Sequence, residues 1–519
     1  MNKYLALLLV FFFLETEGQI TFQKTYGDSY YDYGRSISQT FDGGYIIVGL
    51  LSNPASGDPD LFILKTDANG DTVWTKIIGN ASDDFANCVE QTTDSGFIIL
   101  GAIGLGGAGI YEDATLIKMN SNGDTLWTKT FNTGLDATMH SVHQTGDGGY
   151  ILAGGFSGWF GSEDIYFIKT DSNSNVLWTK IIGSGGIEYA TSVLETFTGG
   201  IVIAGSYPGS GMGHNIFLQN VVNGSFSHFG GSDDDFGNCC KQTADSGFII
   251  VGSTRSFGTT PQNIYLVKAN SNMQFQWAKV FSNADGLTPS SGIYCEQTLD
   301  GGYIILAEVN SAIGNRDLAL IKTNAVGDTM WIRTYGGSND EYGYCVKQTT
   351  DSGFAILGVT ESFGSGFTDI YFVKTDSNGY SGCNEGFANF TMSSGGANIF
   401  DNPLQEVSLP ESLLTVSAVI HAGTYVSDPC INAGTTESIS NDPFLDISPN
   451  PFTQSLNLHF KRSHCEIAIL RIFNSIGEIV YIKEIKLEDQ ILNLAELPKG
   501  IYMVSLLSEG RTYNLVIVK

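Results

Sequence analysis

Gln91-Thr92-Thr93-Asp94-Ser95-Gly96-Phe97-Ile98-Ile99-Leu100-Gly101 is one of seven near copies of a single phrase. The copies begin at Gln39, Gln91, Gln144, Glu195, Gln242, Gln297 and Gln348; in each a Thr follows, and a Gly stands five positions after the Gln or Glu. Between the equivalent residues Asp42, Asp94, Asp147, Thr198, Asp245, Asp300 and Asp351 the period is 47 to 55 residues. A fixed period of that size marks a repeat architecture. Each period has room for four strands, which in the first cover 36–40, 44–49, 61–65 and 73–78, with Gly or Asp clusters between them. Runs such as Tyr45-Ile46-Ile47-Val48 are apolar throughout, so both faces must be covered, as neighbouring repeats would cover them.

Asn69-Gly70, Asn122-Gly123 and Asn378-Gly379 join third and fourth strands, and both residues of such a pair tolerate the positive φ of a tight hairpin turn. The strand that follows carries Trp74, Trp127, Trp178, Trp277 or Trp331, with Phe226 in the fourth copy. The seventh copy lacks it, while Phe22-Gln23-Lys24-Thr25-Tyr26-Gly27 near the N-terminus mimics Trp331-Ile332-Arg333-Thr334-Tyr335-Gly336. A displaced strand is useless to an open solenoid but closes a ring and removes its exposed edges. The expectation is therefore all-β: a seven-bladed β-propeller over 19–382, closed by the N-terminal strand. The Trp-bearing turn resembles the tryptophan-docking repeat of the pyrroloquinoline-quinone-type propellers, and the general look resembles the Kelch-like and WD-type families. That resemblance implies a fold, since one propeller scaffold hosts unrelated activities.

The 519 residues carry 54 Asp and Glu against 26 Lys and Arg, a net charge of −28. Such a surface repels phosphate backbones and anionic lipids, so no nucleic-acid partner is expected. From Asp446 onward acids and bases balance, which places the whole imbalance in the first part and marks the C-terminal piece as a different domain. At the other end, Lys3 precedes an apolar run over 5–14 that is too short to span a bilayer. With Thr16 and Gly18 before Gln19, residues 1–18 read as a signal peptide. No later stretch is long enough for a transmembrane segment.

From 383 to 445 the repeat is gone and Ser, Gly, Asn and Thr cluster, which reads as a linker in which 413–425 has the character of strand. Cys383 and Cys430 bracket it and suggest a loop-closing disulfide, the alternative being two unpaired thiols. Residues 446–519 hold short β runs that fit a small β-sandwich. Ser448-Pro449-Asn450-Pro451, the turn Asn474-Ser475-Ile476-Gly477, Leu497-Pro498-Lys499-Gly500-Ile501-Tyr502 and the final Leu515-Val516-Ile517-Val518-Lys519 resemble the C-terminal sorting domain of type IX secretion in Bacteroidota. The resemblance implies the type IX machinery as partner and a location outside the cell or on its outer-membrane surface.

Chemistry is less legible. Ten residues before the Asp equivalent stand Asp32, Asp84, Glu188, Asp235 and Glu341, at the loop entering each innermost strand. One reading is a ring of carboxylates holding a hard cation such as calcium; the simpler one is that each carboxylate caps the amides of its own turn. Cys239 and Cys240 are adjacent, as in the vicinal disulfide of some quinone-dependent propeller dehydrogenases, yet the repeats align them with small packing positions. His140 and His143, three apart on a strand, should face opposite sides. Asp71-Thr72-Val73, Asp124-Thr125-Leu126 and Asp328-Thr329-Met330 resemble short O-glycosylation sites of exported Bacteroidota proteins. Four before the Asp equivalent stand Ser38, Glu90, His143, Leu194, Lys241, Glu296 and Lys347, a variable position read as solvent-exposed rather than as a recognition surface. No catalytic motif appears. The expectation is a binding module for a glycan or a surface protein; the alternative is an extracellular enzyme acting on polysaccharide, its site in irregular loops such as 104–113 and 285–292.

Overall fold

The computed structural model describes residues 19–519, apart from 53–57, 80–81, 105–113, 133–136, 158–162, 185, 210–212, 260, 286, 311–314, 397–404, 408–411, 415–418, 422–424, 428–444 and short stretches after 448. The signal-peptide residues and Cys430 lie outside it. The chain divides into two units, 1–433 and 434–519.

The first unit is all-β. After strand β1 (Phe22–Gly27) come β2 (Asp32–Gln39), β3 (Tyr45–Ser52), β4 (Pro59–Thr66) and β5 (Thr72–Gly79), an antiparallel meander forming the first blade. Six further sheets repeat it, giving seven blades. The last holds three strands of its own and takes β1 as its fourth, Phe22 to Tyr26 pairing with Lys374 to Ile370. The ring closes as the displaced strand requires.

Strand apolarity is explained by the stacking. Ile46, Val48, Leu61 and Ile63 pack on Ala86, Val89 and Phe97 of the second blade, while Tyr45, Ile47, Phe62 and Leu64 pack on Leu357, Ile370 and Phe372 of the seventh. Alternate side chains thus serve alternate neighbours, and the core is seven interfaces between blades.

The repeated phrase is a pair of latches. Within a blade, the Asp accepts from the Thr hydroxyl, as Asp147 does from Thr145 at 2.6 Å. It also pairs with a nearly buried Lys of the third strand: Lys65–Asp42 at 3.0 Å, Lys268–Asp245 at 2.9 Å and Lys374–Asp351 at 2.9 Å are examples. Between blades, the Gln carboxamide accepts a backbone N–H from the preceding turn, from Phe41 to Gln91 at 2.7 Å and from Thr350 to Gln39 at 2.9 Å, the latter across the closure. In the fourth blade Thr198 and Gln219 stand in place of the Asp and Lys.

At the outer turns Gly70, Gly123 and Gly379 take φ of 77°, 79° and 80°. A single left-handed residue finishes each turn, where two were expected: Asp67 N–H reaches Asp71 O at 2.9 Å and Gly70 N–H reaches Asp67 O at 3.2 Å. Glycine is needed at 123 for a second reason, because a side chain there would enter the Trp74 ring of the preceding blade.

The segment expected as a linker instead continues the propeller. Glu385–Gly386 pairs with the sixth blade, Phe390–Gly395 with the fifth, Gln405–Val407 with the third, Ser412–Leu414 with the second, Val419–His421 with the first and Tyr425–Ser427 with β1 of the seventh, all antiparallel. The chain runs back round the ring as a belt that adds a fifth strand to six blades. Outer blade edges offer unpaired backbone groups, and local polarity conceals strands whose stability comes from pairing. Cys383, where the belt begins, is disulfide-bonded, its partner being outside the described residues.

The second unit holds a three-stranded and a four-stranded antiparallel sheet. Leu470 and Ile472 of Ile467–Phe473 are fully buried, as are Leu492 and Leu494 nearly so.

Candidate binding site in the channel

The seven first strands, Asp32–Gln39, Asp84–Gln91, Ala137–Gln144, Tyr189–Glu195, Asp235–Gln242, Ser290–Gln297 and Glu341–Gln348, contact one another in succession and enclose a channel. Every one carries a β-bulge at the same place, between Gly34 and Ser36 in the first blade and between Met139 and Ser141 in the third. The skipped residues are Arg35, Asn87, His140, Thr191, Asn238, Ile293 and Tyr344. Four of them tie a blade to the next: Arg35 to Asn87 at 2.6 Å, Asn87 to Met139 O at 2.8 Å, Thr191 to Gly237 O at 2.9 Å and Asn238 to Gly292 O at 2.8 Å. The bulge also corrects the histidine reading. One extra residue shifts the alternation, so His140 and His143 both open on the lumen while Met139 and Val142 are buried.

Two residues before each bulge position is a rim of Tyr33, Phe85, Thr138, Tyr189, Phe236, Ser291 and Tyr342. Phe85 is nearly buried behind Tyr33, and the other aromatic rings are half-buried. Cations and imidazole attend them: Arg35 over Phe85 at 4.6 Å, Arg316 over Tyr342 at 4.7 Å, and His214 stacked on Phe236 at 5.1 Å. Beside the rim, exposed Tyr31 stacks on exposed Phe367 with centroids 5.0 Å apart. No residue of this rim was singled out from sequence, although an aromatic directly after each of the five acids Asp32, Asp84, Glu188, Asp235 and Glu341 was a signal available there.

The opposite end of the strands carries the variable position. All seven residues there are half-buried, and four of them pair across blades rather than pointing singly to solvent. Glu90 meets His143 at 3.1 Å and Lys347 meets Glu296 at 2.6 Å. Burial presses His143 toward neutrality, but the hydrogen bond and charge of Glu90 outweigh it and its pKa is raised. Burial likewise works against the Glu90 carboxylate, and His143 reverses it, holding that pKa low.

The five candidate metal acids lie apart. Asp32, Asp84, Glu188, Asp235 and Glu341 are all fully buried, and each meets donors of its own loops. Asp28 N–H reaches Asp32 at 2.6 Å, Gly104 N–H reaches Asp84 at 2.7 Å, Gly231 N–H reaches Asp235 at 2.7 Å, Gly337 N–H reaches Glu341 at 3.1 Å, and the Ser184 hydroxyl donates to Glu188. Among the described residues no three His, Cys, Asp or Glu side chains come together as a metal-holding group. What several of these acids do meet is a second carboxyl from the neighbouring blade. A side chain on Gly27 would run into both Asp32 and Asp369, and one on Gly336 into both Asp317 and Glu341. Asp317 hydrogen-bonds Glu341, which needs a proton between them.

That proton has a consequence for stability. Burial, with the charge of Asp28 and Asp369, lifts Asp32 to about 7; burial and Asp28 lift Asp369 to about 6. Burial and Asp340 lift Asp317 to about 6, and burial and Asp317 lift Glu341 to about 7. Folded pKa values above the unfolded ones mean that the folded chain binds more protons, so this contribution is complete below the ordinary carboxyl range and is lost as pH rises through 6 to 7. The latch acids run the other way: the Thr145 hydroxyl and Lys169 hold Asp147 at about 2, a contribution present above the ordinary carboxyl range and lost as pH falls through about 2. Thermal melts should show a midpoint a few degrees higher at about pH 5 than at about pH 8. The double variant Asp32→Asn, Glu341→Gln should flatten that slope. A wild-type midpoint as high at pH 8 as at pH 5 refutes the account.

Cys239 and Cys240 are both buried free thiols and form no vicinal disulfide. Among the described residues no helix is long and apolar enough to cross a membrane.

Comparison with known proteins adds one specific finding. Residues 446–519 match the family described as the secretion system C-terminal sorting domain. The crystal structure of Sqt1 from Chaetomium thermophilum is similar over 69% of this chain and 99% of that one, at a TM-score of 0.39 and 8% identity. No curated protein matches the chain in sequence. Repeats, ring closure and matched tail together make this a seven-bladed β-propeller that ends in a type IX sorting domain, a protein of Bacteroidota exported to the cell surface or beyond.

Proposed function

We propose that the exported propeller is a binding module whose ligand is a glycan held at the aromatic rim of the channel. The observation that supports this reading is the collar of half-buried Tyr33, Tyr189, Phe236 and Tyr342, with Tyr31 and Phe367 exposed beside it. A sugar presents C–H faces that pack on aromatic rings and hydroxyls that satisfy the polar groups between them; concave sites of this composition are where small ligands bind. A surface-protein ligand fits less well, because a protein needs a broad face, and the other exposed apolar side chains, such as Phe41, Phe197 and Leu299, stand on separate blades.

The test is retention of the purified propeller on a panel of immobilised polysaccharides, followed by calorimetry on the best of them. The pair Tyr33→Ala, Tyr342→Ala should weaken binding at least about tenfold, a loss of roughly 1.4 kcal/mol, with the melting temperature little changed. Full binding by that variant would reject the rim.

The second reading, an enzyme acting on polysaccharide, has one observation in its favour. Tyr294 stands where the other blades have Ser36, Cys88, Ser141, Ser192, Cys239 and Cys345, and an active site distorts the repeats that build it. Release of shortened sugars in the same experiment would put catalysis in place of simple binding.

A further inference from the structure

The end of the channel opposite the rim holds a cation that has no ion-pair partner of its own. Lys347 is paired with Glu296 at 2.6 Å and His143 with Glu90 at 3.1 Å. Lys241, at the equivalent position of the fifth blade, makes no ion pair and no hydrogen bond to any described residue. Its ammonium sits 4.9 Å from the centre of the Tyr294 ring. In a chain of net charge −28 acids are abundant, and the third-strand lysines of six blades each have an Asp. A half-buried ammonium without a contact ion pair leaves a place for an anion from outside, because the carboxylates whose charge reaches it, Glu296 and Glu90, are held by Lys347 and His143.

Tyr294 adds a second donor. Its hydroxyl oxygen accepts from Lys347 Nζ at 2.9 Å, which leaves its own proton free to donate. Lys347 lies over the same ring at 5.1 Å. Ammonium and phenol thus present two donors, while the Glu296 carboxylate beside them is already engaged by Lys347 and by the Gln348 N–H, a chemistry suited to an incoming carboxylate. From rim to Lys241 is five positions of one strand, on the order of 15 Å at about 3.3 Å per residue. An extended oligosaccharide spans that length, with neutral faces on the rim and a charged group at the bottom.

We propose that the Lys241–Tyr294 end of the channel is an anion subsite that receives the carboxylate of a uronic-acid residue, so that the ligand is an acidic glycan entering from the aromatic rim. The proposal rests on the glycan-binding reading above and narrows it to a ligand class. Lys241 supplies the charge, Tyr294 the hydrogen bond, and the Lys347–Glu296 pair holds Tyr294 in place.

The experiment uses the mature full chain and three probes: an oligogalacturonate, the same oligosaccharide with its carboxyls reduced to alcohols, and a sulfated neutral oligosaccharide. Calorimetry should give at least about tenfold tighter binding of the uronate than of its reduced form, and the gap should narrow as salt is raised. Lys241→Met should abolish that preference while leaving the reduced sugar bound as before. Tyr294→Phe, which keeps the ring, should lower uronate affinity by several-fold and serves if Lys241→Met does not fold. Equal binding of uronate and reduced sugar, or a Lys241→Met protein that keeps the preference, overturns the subsite while the rim reading stands. Preference for the sulfated probe overturns the carboxylate assignment. Binding of none of the three overturns both readings.

Discussion

A chain ending at residue 445 should be made and folded but not delivered: surface and medium fall to background and the propeller collects inside the outer membrane. The match of 446–519 to the sorting-domain family carries this expectation. The family match does not extend into the propeller. Among its described residues no helix is apolar and long enough for a membrane, and its acidic surface is repelled by anionic lipid. The tail is a separate unit with its own sheets, so its removal spares the blades and their belt. Fractionation with an antibody to the propeller, alongside the full chain, decides the matter. Unimpaired surface delivery of the truncated chain would refute the assignment of export to the tail.

Removal of residues 19–27 should be the most destructive change within the propeller. It strips the seventh blade of its fourth strand and leaves the edge of Asp369–Thr375 bare. It also removes the strand on which the belt ends, since Thr25 to Gly27 pair with Ser427 to Tyr425. Two buried aromatics go with it, Phe22 and Tyr26, and buried aromatic truncations cost about 3–5 kcal/mol each. At roughly 2–4 °C per kcal/mol for a mid-sized domain, the midpoint should fall by more than about 10 °C, or the protein should aggregate through the open edge. A graded control is Tyr26→Phe, which keeps the ring, loses the hydroxyl bond to Gly70 O at 2.5 Å and should cost about 1 kcal/mol. Melting within a few degrees of wild type after the deletion would mean that the ring does not depend on its N-terminal strand.

Both expectations start from features legible in the sequence, whereas the candidate site does not. The variable residues from Ser38 to Lys347 were visible as a column of changing charge, but exposure and lumen look alike in one dimension. Only the stacking of neighbouring blades brings Glu90 to His143 and Glu296 to Lys347, each pair separated by more than 50 residues of chain. The acids at Asp32 and Glu341 show the same gap. Their regular spacing suggested one ring, and the fold instead sets each against a carboxyl contributed by a neighbouring blade.

By itself the sequence determined the number of blades, the closing strand and the route of export, because those depend on local turn chemistry, on apolar runs and on one contiguous tail. Tertiary structure decided the lumen and the course of the belt, of which the strand character of 413–425 was the trace in sequence. Belt strands such as Gln405–Val407 are too short and polar to announce themselves, and they exist because an outer blade edge is there to pair with. The bulge that turns His140 and His143 to the same side is likewise set by packing seven first strands around one axis, a constraint that no single blade can express.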